Sequence, residues 1–308
     1  MVYGLFRLIY SDKYLVDIGT HVFPTTKYQL LYQRLIKEGL FKRSDFIYPP
    51  PATNEEILLA HTKNYLEKLK KGTLSLDDLF RLELPYSKEL IEASLICVKG
   101  TILACQHALE DGICVHIGGG FHHAFADHGE GFCIFNDIAV GIRNLQKNDE
   151  VEKIAIIDCD LHQGNGTADI FSNDKNVFTF SIHQENNYPA IKPPSDIDMG
   201  LSDGCRDKEY LGHLEENVTK IVADFKPELI VYVAGADPYE KDQLGGLLIS
   251  MEGLKQRDKI VFGNAKKHNI PVAAVLAGGY AVNIEDTVQI HYNMIMEANA
   301  KKENRTSI

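Results

Sequence analysis

The stretch Ile154-Ala155-Ile156-Ile157-Asp158-Cys159-Asp160-Leu161-His162 decides how this chain is read. Four apolar residues in a row, with no polar alternation, fit a parallel strand buried on both faces. Side chains alternate along extended backbone, so Asp158, Asp160 and His162 leave the sheet on one side and Cys159 on the other. Two carboxylates and an imidazole, delivered to the strand end where open α/β sheets gather ligands, read as a metal site. Aspartate and histidine also open ordinary turns, so this segment alone leaves that alternative standing. The rest of the sequence weighs against it.

Working outward, further strands are expected near 2–9, 112–117, 177–182, 228–234 and 271–276. Asn54-Glu55-Glu56 starts a helix that runs to Lys71 and stops at Gly72, and a long apolar-rich helix fills 87–110. Asn136-Asp137 opens another helix through Gln146, and Ser250 caps one that reaches Lys267. Alternating strands and helices predict an α/β fold with a mostly parallel central sheet and helices on both faces. No repeat or linker interrupts the chain, so 1–308 reads as a single domain whose polar end, 301–308, frays. Two long irregular segments, 117–135 and 184–204, both follow strands and are expected to carry function.

The formal net charge of −11 argues against nucleic-acid binding, which needs a basic patch, and weakly favours cationic substrates. The six cysteines show no CxxC spacing and read as reduced thiols. No secretory leader is read at residues 1–10, and no apolar run approaches the roughly 18 residues that span a bilayer. A cytoplasmic protein without a membrane span is expected.

Three other loops carry candidate chemistry. Gly118-Gly119-Gly120-Phe121-His122-His123 follows the expected strand at 112–117, and its glycines let the backbone pass close to a ligand. Paired histidines there can serve as general base and acid, because imidazole titrates near neutrality, although a surface pair reads the same way in isolation. Asp237 follows the apolar run 229–236 and would join Asp160 and His162 as a third ligand, leaving positions for water and substrate. Gly278-Gly279-Tyr280 places a tyrosine on a glycine hinge, where its hydroxyl can donate to a developing oxyanion.

Taken together, these loops resemble the histone deacetylase family and its arginase/deacetylase fold. The resemblance rests on Gly119-Gly120-Phe121-His122-His123, Gly131-Phe132-Cys133 with Asn136-Asp137, the 158–166 stretch, Asp237 and Gly278-Gly279-Tyr280, in the family's order. It implies a single-domain fold with about eight strands. It implies that Asp160, His162 and Asp237 bind Zn²⁺, or Fe²⁺ according to supply, to polarise an amide carbonyl and activate water. His123 would be the principal base and then acid, His122 an electrostatic partner oriented by Asp158, and Tyr280 the oxyanion donor. Gly131, Phe132, Tyr188, Gly278 and Gly279 would line the substrate tunnel. Oxygens of Asp158, Asp160, His162, Ser181 and Ile182 resemble the family's inner potassium site.

Departures refine this reading. Asn165 sits where class I members have an aspartate beside the second histidine; with Leu244-Gly245-Gly246-Leu247 it places the chain nearest class IV and its bacterial relatives. A neutral amide holds an imidazolium less well than a carboxylate does, so Asn165→Asp is expected to move the acidic limb of the pH–rate profile upward. Lys27, in His21-Val22-Phe23-Pro24-Thr25-Thr26-Lys27, stands at the position of a family arginine but lacks its planar fork. The substrate implied is an acylated lysine in a peptide or protein. Small acetylated amines such as acetylpolyamines are the runner-up, and a non-catalytic acyl-lysine binding module is a distant third. The rim at 184–200 is where acyl length would be set, and oligomeric state is left open. Without long extensions, the chain is expected to act alone.

Overall fold

The computed structural model describes residues 6–303, with side-chain surroundings to residue 300. Eight strands form one sheet in which every pairing is parallel, in the order β2-β1-β3-β8-β7-β4-β5-β6. They are β1 (Leu8–Ile9), β2 (Phe46–Ile47), β3 (Ile113–His116), β4 (Ile154–Asp158), β5 (Val177–Gln184), β6 (Ile197–Leu201), β7 (Leu229–Val233) and β8 (Val272–Val275). Ten α-helices accompany them among the described residues: α1 (Thr26–Lys37), α2 (Asn54–Ile57), α3 (Lys63–Lys71), α4 (Leu76–Leu82), α5 (Lys88–Asp111), α6 (Asp137–Lys147), α7 (Asn165–Phe171), α8 (Asp207–Asp224), α9 (Met251–Lys267) and α10 (Ile284–Glu303). The expected frayed tail lies outside the described residues from 304 onward.

Period-two alternation divides the strands between two cores. Ile154, Ile156, Leu229, Val231 and Val233 pack with α5, α6 and α7 on one face. Ala155, Ile157, Ile230 and Tyr232 pack with α1, α8, α9 and α10 on the other. Both faces are covered, as the uninterrupted apolar runs require. Each fully buried aliphatic side chain contributes about 2 kcal/mol relative to its exposed state. This two-sided burial makes the central strands a rigid base for the loops they carry.

Differences from expectation have local causes. The helix expected over 54–71 is two helices. Thr53 and Glu56 cap α2 reciprocally, after which Thr62 donates its backbone N–H to Ala126 O and caps α3 at Tyr65. That tie pulls the chain out of helical register and buries His61 beneath the 117–135 loop, where it accepts from Asn136 N. The 184–204 segment contains β6, an edge strand whose alternating exposure differs from the buried runs at the sheet centre. By length and composition α5 could cross a membrane, contrary to the sequence count of apolar runs. It is mostly buried in this fold, packed against α6 and the sheet.

Candidate active site

Four neighbouring strands in the order β3-β8-β7-β4 deliver the four loops. Register aligns their ends: Asp158 pairs with Val233, Val233 with Val275, and Val275 with His116. The chain therefore leaves the sheet at one level four times in succession. It carries the histidine pair after β3, Tyr280 after β8, Asp237 after β7 and the Asp160/His162 pair after β4.

Asp160, His162 and Asp237 each offer one ligand atom within 4.8 Å of the others, the one such group of three or more among the described residues. His162 Nδ1 lies 3.2 Å from Asp160 Oδ1 and 3.3 Å from Asp237 Oδ2. The remaining carboxylate oxygens are held by backbone N–H donors, Gly278 on Asp160 Oδ2 at 2.8 Å and Leu161 on Asp237 Oδ1 at 3.0 Å. Asp237 Oδ2 is buried without a hydrogen-bond partner. A Cβ at Gly278 would collide with that oxygen, and one at Gly235 would lie 2.6 Å from Asp160 Oδ2, so both positions need glycine. Leaving a buried charge unpaired costs several kcal/mol. Two carboxylates and one imidazole converging on a shared point, with one oxygen lacking a hydrogen-bond partner, fit a divalent cation of the zinc or ferrous type.

The electrostatics agree with this placement. Burial opposes a charge on His162, but the Asp160 and Asp237 carboxylates outweigh it and raise its pKa to about 10. Asp237 is raised to about 7, first by burial and then by the Asp160 charge. The His162 shift and the Asp160 contribution to the Asp237 shift both place net negative charge at the meeting point of the three groups, which a cation there would offset.

His122 and His123 are held differently. His122 Nδ1 bonds Asp158 Oδ2 at 2.7 Å, and His123 Nδ1 bonds Asn165 Oδ1 at 2.7 Å. Burial would depress His122, yet the charges of Asp158 and Asp160 and the Asp158 hydrogen bond lift it to about 9. His123 goes well below the ordinary histidine value, through burial and then the positive neighbours His122 and His162. The Nε2 atoms of the pair lie 3.1 Å apart, so a protonated His122 donates to a neutral His123. Helix α7 packs close beneath, because a Cβ at Gly166 would clash with Ala124 O.

Tyr280 follows Gly279, whose φ of 141° only glycine adopts readily. Its backbone N–H donates to Asp242 Oδ2 at 2.7 Å, while Gln243 donates side-chain and backbone N–H to Tyr280 O. Phe132 lies at the tip of the Glu130–Cys133 turn, with its ring centroid 6.0 Å from that of Tyr280. A pocket of about 160 Å³ opens above, lined by Glu83, Gly131, Phe132, Asn187, Tyr188, Leu244 and Tyr280, with His123 and His162 also reaching it. Gly278 lines the inner end beside Asp160 and Tyr280. Tyr188 stands edge-on to His123, with ring centroids 5.0 Å apart.

Other residues named from sequence fall around this centre. Lys27 is 1% exposed, donates to Ala277 O at 2.6 Å, and lies 5.4–5.7 Å from the ring centroids of Phe23, Tyr28 and Tyr280. Burial lowers it to about 8 against the pull of Asp237, Asp160 and Asp242, so it braces the Tyr280 loop from behind. Asp158 and Ser181 pair in register on β4 and β5, but the Ser181 hydroxyl already bonds His183 Nδ1 at 3.0 Å. Ile182 is the next, fully buried residue of β5, and Asp160 and His162 turn their side chains to the three-ligand group.

Sequence reasoning gave no supporting role to three residues, although it quoted Asp137 as a helix start and motif residue. Asp137 accepts from Gly120 N and Phe121 N, at 3.0 and 2.8 Å, and so holds the loop that bears the histidines. Asp242 holds Tyr280, and Glu130 holds Asn165. Glu130 stands immediately before the quoted Gly131-Phe132, which was its one local signal.

Residues 21–295 match the histone deacetylase domain family. The chain is 39% identical to an uncharacterised protein of Picosynechococcus, over 93% of this chain and 96% of that one. It is 32% identical to histone deacetylase 2 of Arabidopsis thaliana, over 89% of this chain and 74% of that one. Among solved structures, an HDAC homolog from Aquifex aeolicus superposes with a TM-score of 0.83 at 24% identity, covering 96% of this chain and 84% of that one, which shows a common fold.

Proposed function

Since the chain belongs to the histone deacetylase family, we propose that it is a metal-dependent amidohydrolase removing acetyl or longer acyl groups from lysine side chains. The observation that carries this reading is the convergence of the three-ligand group, the histidine pair and Tyr280 beside two adjoining pockets that share His123, Phe132, His162 and Tyr280. A divalent ion held by Asp160, His162 and Asp237 would supply Lewis-acid polarisation of the amide carbonyl and make a water more acidic. His123, kept neutral, takes the proton of the attacking water and returns one to the leaving amine. His122, kept protonated by Asp158, contributes positive charge beside the reacting atoms. Tyr280, buried with a hydroxyl held well above its ordinary pKa, remains a donor for the developing oxyanion. Phe132 and Tyr188 flank the methylene stem of the substrate.

Asn165 and the Leu244-to-Leu247 stretch support assignment near class IV. The six buried cysteines, none of them in a disulfide, support a reducing, cytoplasmic location. The register pairing of Asp158 with Ser181 on β4 and β5 supports the inner potassium reading. Metal analysis is expected to return near one zinc or iron per chain, which also separates this enzyme from a two-manganese ureohydrolase.

Glu83 gives the small-amine reading a specific footing. It lines the pocket mouth, with a backbone φ of 56° that turns it there. A carboxylate at that point would attract the free ammonium groups of an acetylpolyamine. Glu83→Gln is expected to raise KM for acetylpolyamines about tenfold or less and to leave acetyl-lysine peptides nearly unchanged. Equal effects on both substrates would remove the footing for a polyamine preference.

Asn165→Asp keeps an upward shift of the acidic limb, because added negative charge stabilises protonated His123 and only its neutral form acts as base. The new carboxylate would meet Glu130 across the present 2.7 Å contact, and the two would share a proton. The expected rise is therefore below about one pH unit. A pH–rate profile that moved downward would exclude the His123–Asn165 pairing as a determinant.

A further inference from the structure

The bond partners of Asn165 continue beyond His123. Asn165 Nδ2 donates to Glu130 Oε1 at 2.7 Å, and the Tyr188 hydroxyl donates to the same oxygen at 3.0 Å. His128 Nε2 lies 3.5 Å from the other oxygen. The turn carrying Glu130 is pinned on both sides, by mutual backbone bonds between Glu130 and Cys133 and by donation of Gly131 N and Phe132 N to Arg81 O and Leu82 O. Gly131 lets the surrounding rings close in, since a Cβ there would sit 2.9 Å from both His123 Cδ2 and the Tyr188 hydroxyl.

An amide side chain is nearly symmetric in shape but not in hydrogen bonding. Turned one way, Asn165 offers His123 an oxygen; turned the other way, it offers an N–H. An ionised carboxylate accepts only, so Glu130 admits just the first orientation. A carbonyl oxygen against His123 Nδ1 then requires a proton on Nδ1, and the neutral ring keeps its lone pair on Nε2. Burial and three donors act on Glu130 in opposite senses, and the donors prevail, so the group is ionised at neutral pH.

We propose that Glu130 is a positioning residue for the general base, orienting the Asn165 amide so that His123 is fixed as the Nδ1–H tautomer with its lone pair on Nε2. This rests on the reading of His123 as the base. The same carboxylate oxygen also anchors Tyr188, so the pocket wall and the base share one support.

The test uses the full metal-loaded chain and an acetyl-lysine peptide. Glu130→Leu removes the acceptor at similar size and is expected to lower kcat about 30-fold with KM within about twofold, because part of the population holds the wrong tautomer. Glu130→Gln can keep an oxygen toward Asn165 and Tyr188, and is expected to restore kcat to within about fivefold of wild type. In an Asn165→Asp background no amide remains to be turned, so Glu130→Leu should there cost less than about threefold. An equal loss in both backgrounds, or no loss in either, would overturn the proposal by making Glu130 a brace for its turn or a bystander. Two-bond ¹H–¹⁵N spectra of histidine-labelled protein read the tautomer without any turnover. Wild type should show His123 protonated at Nδ1, and Glu130→Leu a mixture; a wild-type ring protonated at Nε2 would sink the idea even if Glu130→Leu failed to fold. Should His123→Ala retain full activity, the base assignment would fall, while the spectra would still judge the hold of Glu130 on the ring.

Discussion

Asp237→Ala is expected to lower kcat/KM by about 10³-fold or more and to reduce bound metal from near one per chain to a small fraction. The side chain does two separable things. Its Oδ1 holds the Leu161 backbone, and its Oδ2, buried and without a hydrogen-bond partner, faces His162 Nδ1. Alanine removes both, so the loss alone would not tell ligand from scaffold. Asp237→Asn separates them, since its amide oxygen can still accept from Leu161 N while the negative charge is gone. The asparagine variant should therefore melt near wild type yet remain metal-poor and slow. An asparagine variant that bound metal fully and turned over at the wild-type rate would show that Asp237 is not a ligand. Its position between the Gly235 and Gly278 turns, where no Cβ fits, argues that the backbone is shaped around that oxygen.

The parts of this site that could be read from sequence share one physical property. Ile154 to Ile157, the 229–236 run and the 272–276 run are buried on both faces, so each appears as an unbroken apolar segment with its functional residues at the exit. β6 was missed because an edge strand keeps a polar face, and β2 because only two of its residues pair, whereas β1 at Leu8–Ile9 falls within the strand expected near 2–9. The break between α2 and α3 was missed for another reason. Thr62 is drawn aside by Ala126, 64 positions later, and no local propensity registers such a tie. Supporting carboxylates share that blindness. Asp242 meets Tyr280 across 38 residues and Glu130 meets Asn165 across 35, so each looks like an ordinary loop acid until the fold closes. Asp160, His162, Asp237 and the histidine pair stood out as candidates because their residue types are scarce in such positions. Their supports are common residue types in common settings.

His123→Ala is expected to lower kcat by about 10³-fold while leaving metal content unchanged, the reverse of the Asp237 pattern in its second readout. The assignment of the base to this histidine follows from the two environments. His122 is bonded to a carboxylate and raised to about 9, so at neutral pH it already carries its proton. His123 is bonded to a neutral amide oxygen and held well below the ordinary value by burial and two positive neighbours, so it is proton-free and able to accept. Bound divalent charge near Asp160 would pull both rings down without reversing their order, since Asp158 contacts His122 alone. Activity should therefore fall on the acid side as His123 gains a proton. On the alkaline side it should weaken as His122 loses one. In His123→Ala the residual activity should lack the acidic limb. In His122→Ala the limb should persist and move upward, because a positive neighbour that disfavours protonation of His123 has been removed, with kcat down by about 10²-fold or less. If the acidic limb survived in His123→Ala and vanished in His122→Ala, the two histidines would have to exchange roles, and Asp158 would then orient the base.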